Sequence, residues 1–159
     1  ALTGHLVLST LHTNSAAGGL TRLLDMGVED YLLASTVNAI LAQRLVRRLD
    51  PASAEAYEPL PELVAELGLD KLATQRPIRL YRPRPSPDNP SGYRGRLAII
   101  EQLTMDDALR RLLMQHADAS DIERAARDSG MRTMYEDGLR KALAGLTTIE
   151  EVLRVTQEA

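Results

Sequence analysis

The sequence lacks cysteine altogether among its 159 residues. Disulfide bonds and thiolate metal sites are therefore excluded, which fits a cytoplasmic protein. The sequence also lacks any apolar stretch near the roughly 20 residues that span a bilayer, and its first residues have neither the basic flank nor the apolar core of a signal peptide. No membrane segment is predicted. Because the chain begins with alanine rather than methionine, we expect a fragment of a longer protein.

Net charge is also small, at -3, but it is unevenly distributed. Residues 71–96, which we call the basic island, carry seven basic side chains, one acidic side chain and five of the eight prolines. Two interpretations stay open. The island could bind nucleic acid, with Tyr81 and Tyr93 available to stack on bases, or its arginines could bond to the acidic flanks. The acidic balance of the whole chain favours the second interpretation.

The start of the chain has the pattern of a strand, a polar turn and a helix. Residues 5–11 are rich in leucine and valine and are followed by turn formers, which predicts a buried strand. Thr13 or Asn14 can then cap a helix that runs to about Asp25. Gly27 is placed to end this helix in the left-handed conformation. The pattern favours an α/β fold.

The middle of the chain is more varied. A second helix is predicted over residues 29–43, and residues 44–49 follow as a short strand or a helix end. Residues 50–61 change to a texture of Pro, Ala, Ser and Glu, which indicates a boundary or an inserted lobe. A modest helix is predicted within residues 60–69, and residues 94–103 return to strand-like composition.

Four helices are predicted beyond residue 103, because a serine or threonine recurs three residues before an acid, the spacing of a reciprocal N-terminal cap. These pairs are Thr104 with Asp107, Ser120 with Glu123, Thr133 with Glu136, and Thr148 with Glu151. Each helix carries an apolar stripe, and the short connections favour packing as a small bundle. Acids such as Glu151 are then explained by the dipole of a first helical turn.

The polar turn of residues 9–14 is the candidate functional segment. In open parallel sheets, ligands bind beyond the carboxyl ends of strands, often against the amino end of the next helix, where free N–H groups favour phosphate. His12 could contact a terminal phosphate or position water, because a neutral imidazole donates on one side and accepts on the other. The alternative is a structural, hydrogen-bonded histidine. His5 would lie about 23 Å away along an extended strand, too far for shared metal ligation.

Several segments together carry a family resemblance. The run LTGHLVLSTLHTN, followed by AAGGLTRLLDMGVEDYLLAS and LAQRLVRRL, is similar to the histidine box and downstream core of the secretion ATPases of type II secretion and type IV pilus assembly. Further on, GYRGRLAIIEQL and DGLRKALAGLTTIEEVLRVT resemble the C-terminal signature of the same family. The similarity runs from Ala1 to Thr156 around a divergent middle.

The resemblance implies an architecture and an activity. Residues 1–49 would be the C-terminal portion of a RecA-like P-loop ATPase core, residues 50–93 an inserted lobe, and residues 94–159 a strand followed by a helical bundle of four helices. The whole protein would be a homo-hexamer on the cytoplasmic face of the bacterial inner membrane. It would hydrolyse ATP with Mg to drive pseudopilus or pilus assembly, with inner-membrane secretion platform proteins as partners and without nucleic acid.

The resemblance also implies roles for individual residues. His5 and His12 are the histidines of the box and the candidate catalytic residues, with His12 nearer the nucleotide phosphates. The residues that would sense the nucleotide or contact the next subunit are Thr10, Thr13, Asn14, Gln43 and Arg44.

Two departures from the family pattern matter. No G-x-x-x-x-G-K-[ST] loop is present to hold phosphates, and in the family this loop lies upstream of the histidine box, so the chain alone is expected to be inactive. Many relatives also carry a four-cysteine zinc site, and this sequence has Asp50, Ser53, Pro85 and Asp88 at those positions. These residues cannot form a thiolate cage, so no zinc is expected.

The alternative to an ATPase is a non-catalytic helical interaction module, whose basic island would dock an acidic partner or nucleic acid. Composition alone favours the module, whereas the family resemblance favours the ATPase. A P-loop lysine encoded upstream of this chain would support the ATPase.

Overall fold

The computed structural model describes residues 2–157, which form eight helices and four strands. The helices are α1 (Ala16–Asp25), α2 (Asp30–Thr36), α3 (Pro61–Glu66), α4 (Leu69–Leu72), α5 (Asp107–Met114), α6 (Ala119–Asp128), α7 (Met134–Leu143) and α8 (Ile149–Gln157). The strands are β1 (Ala39–Leu49), β2 (Glu55–Tyr57), β3 (Leu80–Arg82) and β4 (Tyr93–Thr104). The expected mixed α/β class is confirmed.

By contacts, the chain divides into two compact units, each assembled from two separate segments. The first unit comprises the residues up to Ala42 together with Glu101–Thr133. The second comprises Gln43–Ile100 together with the residues from Met134 onward. This grouping differs from the division by sequence into 1–49, 50–93 and 94–159, which stays a prediction about the family architecture.

Strands β1 and β4 are hydrogen-bonded to each other as a two-stranded sheet. The Met105 N–H donates to the Asn38 carbonyl at 2.9 Å. The Asp50 N–H donates to the Gly92 carbonyl at 3.1 Å. Both bonds join the start of one strand to the end of the other, so the pair is antiparallel. The strand predicted over residues 94–103 is thereby confirmed.

The first unit is held together by helix packing. Helix α1 packs on α6, α2 packs on α5, and α5 packs on α6. The largest side chains buried in these helices are Leu20, Leu33, Leu109, Leu113 and Ile122. Each fully buried leucine or isoleucine stabilises the unit by about 1.5–3 kcal/mol relative to an exposed one.

The second unit combines a small sheet with helices. Strand β2 pairs antiparallel with β3, with Ala56 opposite Tyr81, and helix α7 packs against β3, α4 and α8. Its core cluster consists of Leu69, Ile78, Leu80, Leu139, Ala142 and Ile149. Gly138 lets α7 approach α8 closely, because a Cβ atom there would lie only 2.5 Å from Cγ1 of Val152.

The buried strand predicted over residues 5–11 is wrong for this structure. These residues are irregular and exposed, with Leu6 at 77% and Leu8 at 87% of full exposure. A strand requires a neighbour to pair with its N–H and C=O groups. Within residues 2–157, the two sheets pair only β1 with β4 and β2 with β3, so the segment has no such neighbour.

The helix predicted over residues 29–43 is correct only in its first half. Helix α2 ends at Thr36, and Val37 is already extended, with φ -73° and ψ 124°. Ala42 is buried while Leu41 is exposed, so the apolar residues alternate as in a strand rather than repeating at helical spacing. Residues 44–49 continue this strand, as one of the two predicted alternatives.

Helices α5 to α8 confirm the four helices predicted beyond residue 103, although two caps differ. Asp106 caps α5 by accepting from the Leu109 N–H at 2.8 Å, instead of Thr104. Asp118 caps α6 in the same way, instead of Ser120. A carboxylate satisfies the free N–H and also interacts favourably with the helix dipole.

The four helices are divided between the two units. Helices α5 and α6 belong to the first unit, where they pack with α1 and α2, whereas α7 and α8 belong to the second unit. The expected single bundle is therefore not confirmed. No helix among the described residues is both long and apolar enough to cross a bilayer.

Candidate functional site

The polar segment of residues 9–14 lies directly before helix α1, as predicted. The side chains of Thr10 and His12 are exposed. Thr13 is half-buried, and its hydroxyl donates to the Ser15 carbonyl at 3.1 Å, which shapes the turn into the helix. Thr10 and His12 therefore remain accessible to a ligand, while Thr13 has a local structural role.

The start of α1 differs from the prediction. Ser15, rather than Thr13 or Asn14, caps the helix, because its Oγ accepts from the Gly18 N–H at 3.0 Å. The helix ends as expected, and Gly27 follows it with φ +86°.

Glu101 occupies the amino end of α1. The Oε1 atom of this buried residue accepts from the Ala16 N–H at 2.6 Å. A carboxylate at a helix N-terminus takes the place that a phosphate would take. Glu101 and Ser15 thus already accept from the N–H groups of Ala16 and Gly18 at the amino end of α1.

The two histidines of the N-terminal segment are not joined to each other. Nδ1 of His5 lies 3.2 Å from Oγ1 of Thr3, and both side chains are exposed. Within residues 2–157, no hydrogen bond connects His5 to His12. The structure therefore shows no direct link between the two imidazoles, and their catalytic role stays a prediction.

Gln43 and Arg44 are neighbours in strand β1. Successive side chains of a strand point to opposite faces. Gln43 is exposed and Arg44 is half-buried, in agreement with that alternation. The two side chains therefore cannot both face one ligand directly from this strand.

Glu151 is a buried acid with several hydrogen-bond donors around it, and its side chain is 2% exposed. Its Oε2 accepts from the Arg47 N–H at 2.8 Å, and its Oε1 accepts from Arg47 Nε at 3.0 Å. Arg154 adds two more bonds, at 3.2 and 2.9 Å. Burial acts to raise the pKa of Glu151, but the bonds from Arg154 and Arg47 outweigh it and lower the pKa to about 2. Sequence reasoning, which explained Glu151 by the helix dipole, missed this link between β1 and α8.

Three arginines of the basic island bond to acidic residues. The pairs are Arg76 with Asp70 at 2.7 Å, Arg82 with Glu55 at 3.0 Å, and Arg94 with Asp50 at 3.1 Å. For these three arginines, the structure confirms bonding to acids, the interpretation that the charge balance favoured.

The positions at which the family resemblance places zinc ligands do not fit zinc. The carboxylate of Asp50 accepts a bond from the Asn89 amide, which is the main cause holding the pKa of Asp50 below its usual range. Ser53 Oγ is buried without a hydrogen-bond partner among the described residues, but a neutral hydroxyl is not a usual zinc ligand. The Pro85 side chain has no atom that could ligate a metal, and the Asp88 side chain is exposed. Across residues 2–157, no cluster of three or more His, Cys, Asp or Glu side chains could hold a metal ion.

These observations define a mixed α/β chain with an exposed, histidine-bearing segment before its first helix. Residues 1–154 match the family described as Type II/IV secretion system protein. The chain belongs to this family.

Named relatives cover the whole chain. It is 65% identical to Type II secretion system protein E of Xanthomonas campestris pv. campestris over 159 residues, which are 100% of this chain and 28% of that protein. It is 50% identical to Type II secretion system protein E of Pseudomonas aeruginosa, over 99% of this chain and 31% of that protein. It is 45% identical to Type IV pilus assembly ATPase PilB of Thermus thermophilus, over 99% of this chain and 18% of that protein. The chain thus spans less than a third of the length of each of these relatives.

Proposed function

We propose that this chain is the nucleotide-sensing and subunit-contact part of a secretion ATPase, whose ATP hydrolysis powers pseudopilus or pilus assembly. The observation that carries the proposal is similarity along the whole chain to proteins named for that activity. One is the Type IV pilus assembly ATPase PilB of Thermus thermophilus, and another is the Type II secretion system ATPase E of Vibrio cholerae, at 45% identity over 100% of this chain.

In the proposed mechanism, His12 contacts the terminal phosphate of ATP and responds to its loss. The exposure of His12 and Thr10 supports this role, because both side chains can reach a ligand that lies outside the chain. The exposed apolar side chains of Leu6 and Leu8 also support this role of His12, because they leave an apolar surface next to it that another part of the protein could cover. We assign them to packing against the RecA-like core of the whole protein, which would hold His12 beside the nucleotide.

The main cradle for Mg and ATP is assigned to other parts of the protein. This sequence has no glycine-rich phosphate loop with its lysine. Glu101 and Ser15 already take N–H groups at the amino end of α1. The chain therefore contributes side chains to the nucleotide site rather than a backbone cradle.

The remaining assignments concern assembly. The whole protein would act as a homo-hexamer, peripheral to the cytoplasmic face of the inner membrane, on secretion platform proteins. Arg44 would support the nucleotide or the subunit contact, and Gln43, on the opposite face of β1, would belong to a subunit contact. His5, Thr13 and Asn14 would support the His12 segment. We propose that neither zinc nor nucleic acid is required.

Replacing His12 with alanine in the intact polypeptide should lower the rate of ATP turnover about tenfold, the factor expected from losing one hydrogen bond to a charged group. The isolated 159-residue chain should turn over ATP no faster than the same chain with His12→Ala. His116→Asn is the control, because His116 lies in the turn after α5 with φ 52°, a conformation that asparagine tolerates, and its Nε2 lies 3.1 Å from Oδ2 of Asp30. Steady-state phosphate release measures the result. Equal turnover by the wild type and His12→Ala would contradict the role of His12.

The interaction-module alternative has weaker support. Arg76, Arg82 and Arg94 already bond to acids of the same chain, so fewer charges of the basic island remain for a nucleic acid. Strongly salt-dependent nucleic-acid binding, lost on neutralising Arg82, Arg84, Arg94 and Arg96, would favour the module instead.

A further inference from the structure

The two ends of the segment between β1 and β4 meet at Asp50. This residue directly follows β1 and is 4% exposed, and its N–H donates to the Gly92 carbonyl just before β4 begins. The chain therefore leaves and re-enters the β1–β4 sheet at one place. A buried aspartate at such a junction must have its charge compensated by hydrogen bonds.

Each carboxylate oxygen of Asp50 has a partner. Oδ1 accepts from the Ala52 N–H at 3.1 Å. Oδ2 accepts from Asn89 Nδ2 at 2.9 Å, and from Arg94 Nε and Nη2 at 3.2 and 3.1 Å. The donors come from both strand ends and from the returning loop, so this one carboxylate connects three parts of the chain.

Asn89 holds the returning loop in shape. Its Nδ2 also donates to the Tyr93 carbonyl at 3.1 Å, and its N–H donates to Ser86 Oγ at 3.1 Å. Its Oδ1 accepts from Ser91 Oγ at 3.0 Å, and its carbonyl accepts from the Gly92 N–H at 3.1 Å. Both ends of the side-chain amide are therefore used, and a side chain without an amide could not make the bonds of Nδ2 and Oδ1.

We propose that Asp50, Asn89 and Arg94 form a polar latch that closes this lobe without metal, at the place where the family resemblance puts a four-cysteine zinc site. The latch joins the same two loops that a zinc ion between C-x-x-C pairs would join. It uses charge-assisted hydrogen bonds, which are about twice as strong as neutral ones, instead of thiolate bonds. Closure of the lobe is consequently independent of metal supply and of thiol oxidation.

Hydrogen exchange of the backbone amides in residues 86–93, measured by mass spectrometry on the intact polypeptide, tests the latch. Asp50→Asn and Asn89→Ala should each speed exchange about tenfold, the factor expected from losing a hydrogen bond to a charged group. Asp88→Asn is the matched control, because Asp88 is an exposed acid in the same loop, and it should exchange like the wild type. A chelator should not change exchange in the wild type.

Arg94→Gln provides a second variant that is less disruptive, because the Arg94 side chain is 73% exposed. It should also speed exchange in residues 86–93. Its effect on the exchange rate should be smaller when Asp50→Asn is already present, because the two substitutions break the same interaction. The proposal is overturned if Asp50→Asn exchanges like the wild type, if the effects of the two substitutions simply add, or if a chelator opens the wild-type loop. Stoichiometric zinc in the purified protein would also overturn it.

Discussion

Replacing Glu151 with alanine should lower the free energy of unfolding by about 2–3 kcal/mol. The substitution leaves the Arg47 N–H without its acceptor and removes the bonds from the side chains of Arg47 and Arg154. These two arginine side chains are about half exposed, at 53% and 48%, so they can return to water. That partial release keeps the loss below the cost of breaking a fully buried ion pair.

Urea unfolding followed by circular dichroism measures the effect of Glu151→Ala. Glu150→Ala is the control, because Glu150 is the exposed acid next to it in the same helical turn, and it should change stability by no more than about 0.5 kcal/mol. The folded pKa of Glu151 is lowered from 4.5 to about 2. The contribution of Glu151 is therefore complete above pH 4.5 and is lost as the pH falls towards 2. If Glu151→Ala and the wild type had equal free energies of unfolding at pH 7, Glu151 would not anchor α8.

Replacing Gly138 with alanine should lower the free energy of unfolding by about 1–2 kcal/mol, although the same change in an exposed helix would stabilise it by about 1 kcal/mol. The sign follows from the contact between α7 and α8. A Cβ atom at Gly138 would lie 2.5 Å from Cγ1 and 3.0 Å from Cγ2 of Val152, so the helices would have to move apart.

A double-mutant cycle measures this contact. Val152 is fully buried, so Val152→Ala alone should destabilise the protein through the cavity that it leaves. In the Gly138→Ala protein the same substitution should cost much less, because it makes room for the new methyl group. Thermal unfolding of the four proteins gives the coupling energy. Additive effects would mean that Gly138 is not needed for close packing of α7 against α8.

Local sequence signals predicted most of the helices. Capping patterns and apolar stripes located α5 to α8, and Gly27 was correctly placed at the end of α1. The predicted first residues of α5 and α6 were wrong, because aspartate at positions 106 and 118 competes with the nearby threonine and serine as a cap. The error over residues 37–43 has a similar cause, since a short apolar run fits either a helix or a strand.

Contacts between residues distant in sequence could not be predicted. Glu101 reaches the start of α1 across 85 residues, and Glu151 reaches Arg47 across 104. An acid between the buried Ile99 and Leu103 of a strand was the available signal for Glu101, because a carboxylate in such a position must find a donor. No comparable signal existed for the exposure of residues 5–11. An apolar composition predicts that a segment is buried, but it does not identify the surface against which the segment packs.

In the proposed function, His12 faces the terminal phosphate of ATP in the whole protein. A structure of the intact polypeptide with a non-hydrolysable ATP analogue measures it directly, through the distance from the His12 imidazole nitrogens to the nearest γ-phosphoryl oxygen. We expect this distance to be within hydrogen-bond reach, about 2.6–3.2 Å directly, or to be bridged by one water. A His12 side chain packed against its own helices, with no phosphoryl oxygen within reach, would contradict the account.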